Sequence, residues 1–115
     1  MLDTIAIFTA IEIELESVQA NLKSSLGTES MCSLEKSKGV TRSMKYLEGQ
    51  QQEYHKALRY LRANKDSVNF MDYLSDEVMR NQLMLNSPVG QSGNWQEYLM
   101  GSLDALDQIR EIMGR

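Results

Sequence analysis

The sequence predicts an all-α protein, either a small helical bundle or an elongated set of helical hairpins with about four main helices. Three observations lead there. Apolar residues recur at steps of three and four over long stretches. One proline and seven glycines in 115 residues leave little material for the turns of a β-protein. The turn-forming clusters that do occur, above all SPVGQSGN at 87–94, fall between the periodic stretches rather than inside them.

The first stretch needs a decision, because IAIFTAIEIEL (residues 5–15) carries two periods at once. Ile5, Ile7, Thr9, Ile11, Ile13 and Leu15 alternate as along a half-buried strand, whereas Phe8, Ile11 and Leu15 fit one side of a helix. A longer window settles it. The series Phe8, Ile11, Leu15, Val18, Leu22 continues by threes and fours, while the alternation stops at Leu15. A strand of this length would also be long beside the usual five or six residues or so. A helix over 3–26 follows, with Gly27 at its closing position. The isoleucines at 5, 7 and 13 then lie off the main seam, so this helix needs more than one apolar neighbour.

The spacing admits a short helix over 30–38, capped by Ser30 with Met31 and Leu34 inward. The clearest helix spans 41–64, with Val40, Met44, Leu47, Gln51, Tyr54, Leu58 and Leu61 as its inner series and Thr41 as its cap. Gly49 should weaken it by about 1 kcal/mol relative to alanine. A third helix over 67–85 turns Met71, Leu74, Val78 and Leu85 inward, with Phe70 and Tyr73 widening the arc. The last, over 95–113, starts from Asn94 and Glu97 in capping-box spacing and runs through Trp95, Leu99, Leu103, Leu106, Ile109 and Met113, with Trp95 read equally as an interface anchor or as the closure of a core end. Methionines 71, 79, 84, 100 and 113 are read chiefly as core filler, with a yielding binding surface as the lesser alternative.

A chain of this length suits a single domain, residues 1–115, with a modest core. Its composition, 42% apolar and 24% charged, is that of a folded protein rather than a disordered one. Lone Cys32 allows neither an internal disulfide nor a thiol zinc cluster. The amino-terminal apolar run lacks a basic flank and is broken by Glu12, Glu14 and Glu16, so neither a secretory signal nor a membrane span is expected. Synthesis in the cytoplasm is the expectation, with the site of action open to a larger assembly.

Chemistry is hard to build from these residues. His55 is the only histidine, on the polar part of its helix, and nothing local pairs it with Cys32. Glu12 and Glu16 could reach one ion, but no Glu-x-x-His pair completes a carboxylate-bridged metal site. GQSG at 90–93 lacks the lysine and flanking elements of a phosphate loop. The expectation is no catalytic residue, no metal and no cofactor.

Charge distribution says more than the net −4. Residues 1–39 hold three basic and six acidic side chains (net −3), residues 40–65 six and two (net +4), and residues 66–115 three and eight (net −5). The basic set, Arg42, Lys45, Lys56, Arg59, Arg62 and Lys65, lies along one helix. One reading gives it an anionic partner, nucleic acid included. The favoured reading flanks it with the acidic helices of the same bundle. A pI near 5.0 argues against non-specific nucleic-acid binding.

The leading functional expectation is a non-enzymatic protein–protein interaction module that buries apolar helix faces against a protein partner or itself, with Ile5, Ile7, Phe8, Ile11, Ile13 and Trp95 as the contact residues. The reason is surplus apolar area on the first helix, since each isoleucine left in water forgoes roughly 1.5–3 kcal/mol. The competing expectation is a regulator that touches an anionic partner through 42–65. In build the chain is similar to the broad group of small helical adaptors, secretion chaperones and phage accessory proteins, and build does not fix function.

Overall fold

A computed structural model describes residues 3–26, 38–64 and 67–115, and among these it holds four α-helices and no strand. They are α1 (Thr4–Leu26), α2 (Lys38–Asn64), α3 (Ser67–Leu85) and α4 (Gly93–Met113), with a 3-10 turn at Val89–Gln91 joining the last two. The fold is thus a small all-α bundle. Residues 30–37 of the expected short helix, with Gly27 and Cys32, lie outside the described residues, and Lys38 opens α2.

The opening ambiguity resolves as a helix. Asp3 caps it, its Oδ1 accepting the backbone N–H of Ala6 at 2.8 Å. The buried seam runs Ile7, Ile11, Leu15, Val18, with Phe8 and Leu22 half covered. The sequence placed Ile7 off this seam. It is instead wholly buried, because a line through 7, 11, 15 and 18 keeps helical spacing as well as the line through Phe8 does, and the core faces the former. Arg62 lies over the Phe8 ring, its guanidinium 5.5 Å from the ring centre. That contact joins the start of α1 to the end of α2, so the two run antiparallel.

α2 begins three residues before the expected start, so Thr41 is a helix residue and not its cap. Its widest packing is on α4, and Gly49 explains why. A Cβ on Gly49 would stand 2.0 Å from the Tyr98 carbonyl oxygen, and one on Gly101 would stand 2.0 Å from that of Tyr46. The two glycines sit level and let the backbones touch, and Ser102 Oγ donates to Gly49 O across the contact at 3.3 Å. Gly49 is a helix weakener retained because any side chain there would force the helices apart.

α3 is turned from its expected orientation. Phe70 and Leu74 are fully buried, and Glu77 and Asn81 continue their line, whereas Met71 faces partly outward. Phe70 fixes this rotation by packing near Tyr60 and Tyr73, with centroids 5.8 and 5.7 Å away. α4 starts at Gly93, with Ser92 in the cap position and no side-chain cap bond. The expected Asn94–Glu97 box is therefore displaced into the helix, and Ser92 Oγ bonds back to Val89 O instead. α4 is the most covered helix, burying Leu99, Gly101, Ser102, Ala105, Leu106, Ile109, Ile112 and Met113.

These side chains make one core shared by all four helices. The shape is drawn out: 43 × 33 × 23 Å, with a Cα radius of gyration of 15.0 Å against about 13 Å for a compact domain of this length.

Candidate functional site

Of the six apolar residues expected to meet a partner, Ile7 and Ile11 are fully buried within the chain, and Phe8 is half covered beneath Arg62. Those three serve the monomer's own core. Ile5 and Ile13 are 79% and 60% exposed. With exposed Thr9 they follow at i, i+4 and i+8, an outward rail on α1, and the exposed carboxylates Glu12 and Glu16 share that side. α1 carries no basic residue before Lys23, so the rail is apolar in the middle and acidic at its border.

Trp95 is 50% exposed and stands edge-on to Tyr98, centroids 5.8 Å apart. Together with Lys45, Glu48, Ser92, Gly93 and Asn94 they line a cleft of about 640 Å³ between α2 and the start of α4. Four of the methionines expected in the core, Met71, Met79, Met84 and Met100, are on the surface, and only Met113 of that group is buried. The filler reading fails for those four because the close α2–α4 contact and the rotation of α3 point them outward.

The basic helix divides. Lys45 pairs with Glu48 one turn on, at 3.2 Å. Lys56 reaches across to α3, with Nζ 2.7 Å from Glu77 Oε2. Arg59 and Arg62 form no ion pair among the described residues, and with exposed Gln52 and His55 they make an outward stripe on α2. The side chain of Arg42 and the whole of Lys65 lie outside the described residues. Tyr46 ties α2 to α4 by donating its phenol to Asp104. Burial first, and then that carboxylate, push the phenol up to about 12.

Sequence reasoning missed a charged cluster inside the α2–α3 seam. Glu53 is 2% exposed and Glu77 1%. Arg80 approaches Glu77 Oε1 at 2.8 Å from the solvent side, so Glu77 takes both nearby cations at contact distance. Glu53 Oε1 has only Asn81 Nδ2 at 3.3 Å and Lys56 at 3.6 Å. Its Oε2, like the Tyr73 hydroxyl, is buried with no hydrogen-bond partner among the described residues. Burial pushes the Glu53 carboxyl up to about 7; Lys56 opposes this, and the adjoining Glu77 adds to it. Glu53 is four residues from Gly49 and four from Ala57, and so shares their buried side.

His55 faces solvent, and no group of three His, Cys, Asp or Glu side chains close enough to hold a metal occurs among the described residues. No described helix is long and apolar enough to cross a membrane. Comparison with protein-family models, curated proteins and solved structures gives no match to this chain.

Proposed function

We propose that this protein is a non-enzymatic binding module whose α1 rail docks a partner helix. One observation carries the reading: Ile5 and Ile13 stay in water on a helix whose other two isoleucines are wholly buried. Leaving both exposed forgoes roughly 3–6 kcal/mol of burial, which a second chain recovers on contact. The flanking Glu12 and Glu16 select the partner's chemistry, an amphipathic segment with apolar residues at helical spacing and lysine or arginine beside them. A second copy offers only the cationic half of that chemistry, through Arg59 and Arg62 of its own α2.

The test is the double variant Ile5→Asp/Ile13→Asp. It keeps wild-type helicity and unfolding midpoint, and it loses the partner or the larger mass in co-purification and light scattering. A folded double variant that keeps its wild-type mass and partner contradicts the proposal.

A second reading rests on Arg59 and Arg62, which have no carboxylate partner among the described residues. They would hold an anionic surface, phosphate included. Salt separates the two, since a phosphate contact weakens steeply between 50 and 200 mM or so, whereas apolar burial does not.

A further inference from the structure

Backbone contact between α2 and α3 is sparse, far less than either helix makes with α4. Side chains therefore hold this seam: the stack of Tyr60, Phe70 and Tyr73, and the cluster of Glu53, Lys56, Glu77 and Asn81. Within the cluster the carboxyls are unequal. Glu77 is engaged by Lys56 and Arg80, and its backbone oxygen accepts Asn81 Nδ2 at 2.8 Å. Glu53 keeps one oxygen with no donor, and its carboxyl adjoins that of Glu77. A buried acceptor without a donor is costly. Placing a proton on that oxygen turns it into a donor toward Glu77 and removes a second buried negative charge.

We propose that this cluster is a proton-operated fastener: protonated Glu53 bonds α2 to α3 through Glu77, and loss of that proton to solvent loosens α3. The groups around Glu53 fit the role. On α2, Lys56 is the one cation among the described residues at contact distance from Glu53, at 3.6 Å, and it lies closer to Glu77, at 2.7 Å. On α3, Glu77 opposes a second charge, Asn81 donates to Oε1, and Tyr73 and Arg80 lie beyond, with Arg80 largely in solvent. From α4 the Tyr98 phenol faces the cluster, itself pushed up first by burial and then by Glu53. α1 packs on the other side of α2, where Glu14 faces Tyr54. No second cation stands ready to neutralise Glu53 among the described residues. The position of its carboxyl, about 7, sets the working range around neutrality.

Hydrogen exchange of the full chain from pH 5.5 to 8, corrected for intrinsic rates, tests this in wild type and Glu53→Gln. In wild type the protection of α3 amides falls on the order of tenfold to a hundredfold relative to that of α1 across this range. In the glutamine variant, a neutral mimic of the protonated acid, the ratio stays flat. Parallel loss in α1 and α3, or a variant that keeps the wild-type trend, overturns the proposal. Carboxyl carbon titration of wild-type Glu53 decides the matter even if the variant misfolds. Titration near 7 supports the fastener, and titration in the ordinary carboxylate range overturns it.

Discussion

The α2–α3 seam and the outer side of α1 break the same rule in opposite directions. The seam buries Glu53 and Glu77, while α1 leaves Ile5 and Ile13 in water. In the seam, the chain itself supplies the compensation: a lysine, an asparagine and a titratable proton. On α1 nothing among the described residues covers the isoleucines. A polar group inside is thus a statement about this chain's own stability, whereas the apolar rail outside is the surface on which the proposed binding function rests.

The comparison breaks most easily on α1. Ile11→Asp places a carboxylate in the apolar core and should cost at least about 4 kcal/mol in urea unfolding. If it costs as little as a change at Ile13, the inward and outward sides of α1 are not distinct. Gly49→Ala comes next, since its Cβ would meet the Tyr98 carbonyl. Overpacking outweighs the helix-propensity gain, for a net loss of about 2–4 kcal/mol, with the pH dependence of stability retained because the seam is untouched.

The seam gives the third prediction. Glu53 is raised from 4.5 to about 7 in the folded chain, so the folded state holds a proton that the unfolded state has already lost. Its stabilising contribution is complete below about pH 4.5 and is lost as pH rises through 7, by roughly 2–4 kcal/mol in all. Glu53→Gln should remove that slope and unfold at higher urea than wild type at pH 8. A wild type equally stable at pH 5 and pH 8 would break this half of the comparison. Smallest in stability is Glu12→Lys/Glu16→Lys, within about 0.5 kcal/mol of wild type, yet it should abolish capture of a basic partner. Unchanged capture would remove charge from the account of partner choice.

The helices were legible because each has an apolar series that outlasts any competing period, and the four ends near 26, 64, 85 and 113 coincide with turn-forming residues. Rotation was less legible. Ile7 and Phe8 both extend the α1 seam, and only the position of α2 chooses between them. On α3 the series through Met71 is as regular as that through Phe70, and the ring contacts with Tyr60 decide. Apolar periodicity passes over Glu53, Glu77, Gly49 and Gly101 because it counts them as polar or as breaks. Their burial follows from which helices touch and how closely, and the period of one helix does not contain that. The exposed Ile5 and Ile13 were visible as surplus from the start; what the sequence left open was which isoleucines the chain would keep for itself.

The most direct test is site-specific photo-crosslinking in the cells that make the protein, with the probe placed at position 5, 13 or 21. Asn21 is exposed on α1 about two turns beyond Ile13. Adducts with a second polypeptide, a partner or another copy, are expected from positions 5 and 13 but not from 21. Absent adducts would mean that the rail meets nothing, and equal adducts at all three that its contacts are not particular to it; either result would overturn the binding function proposed for α1.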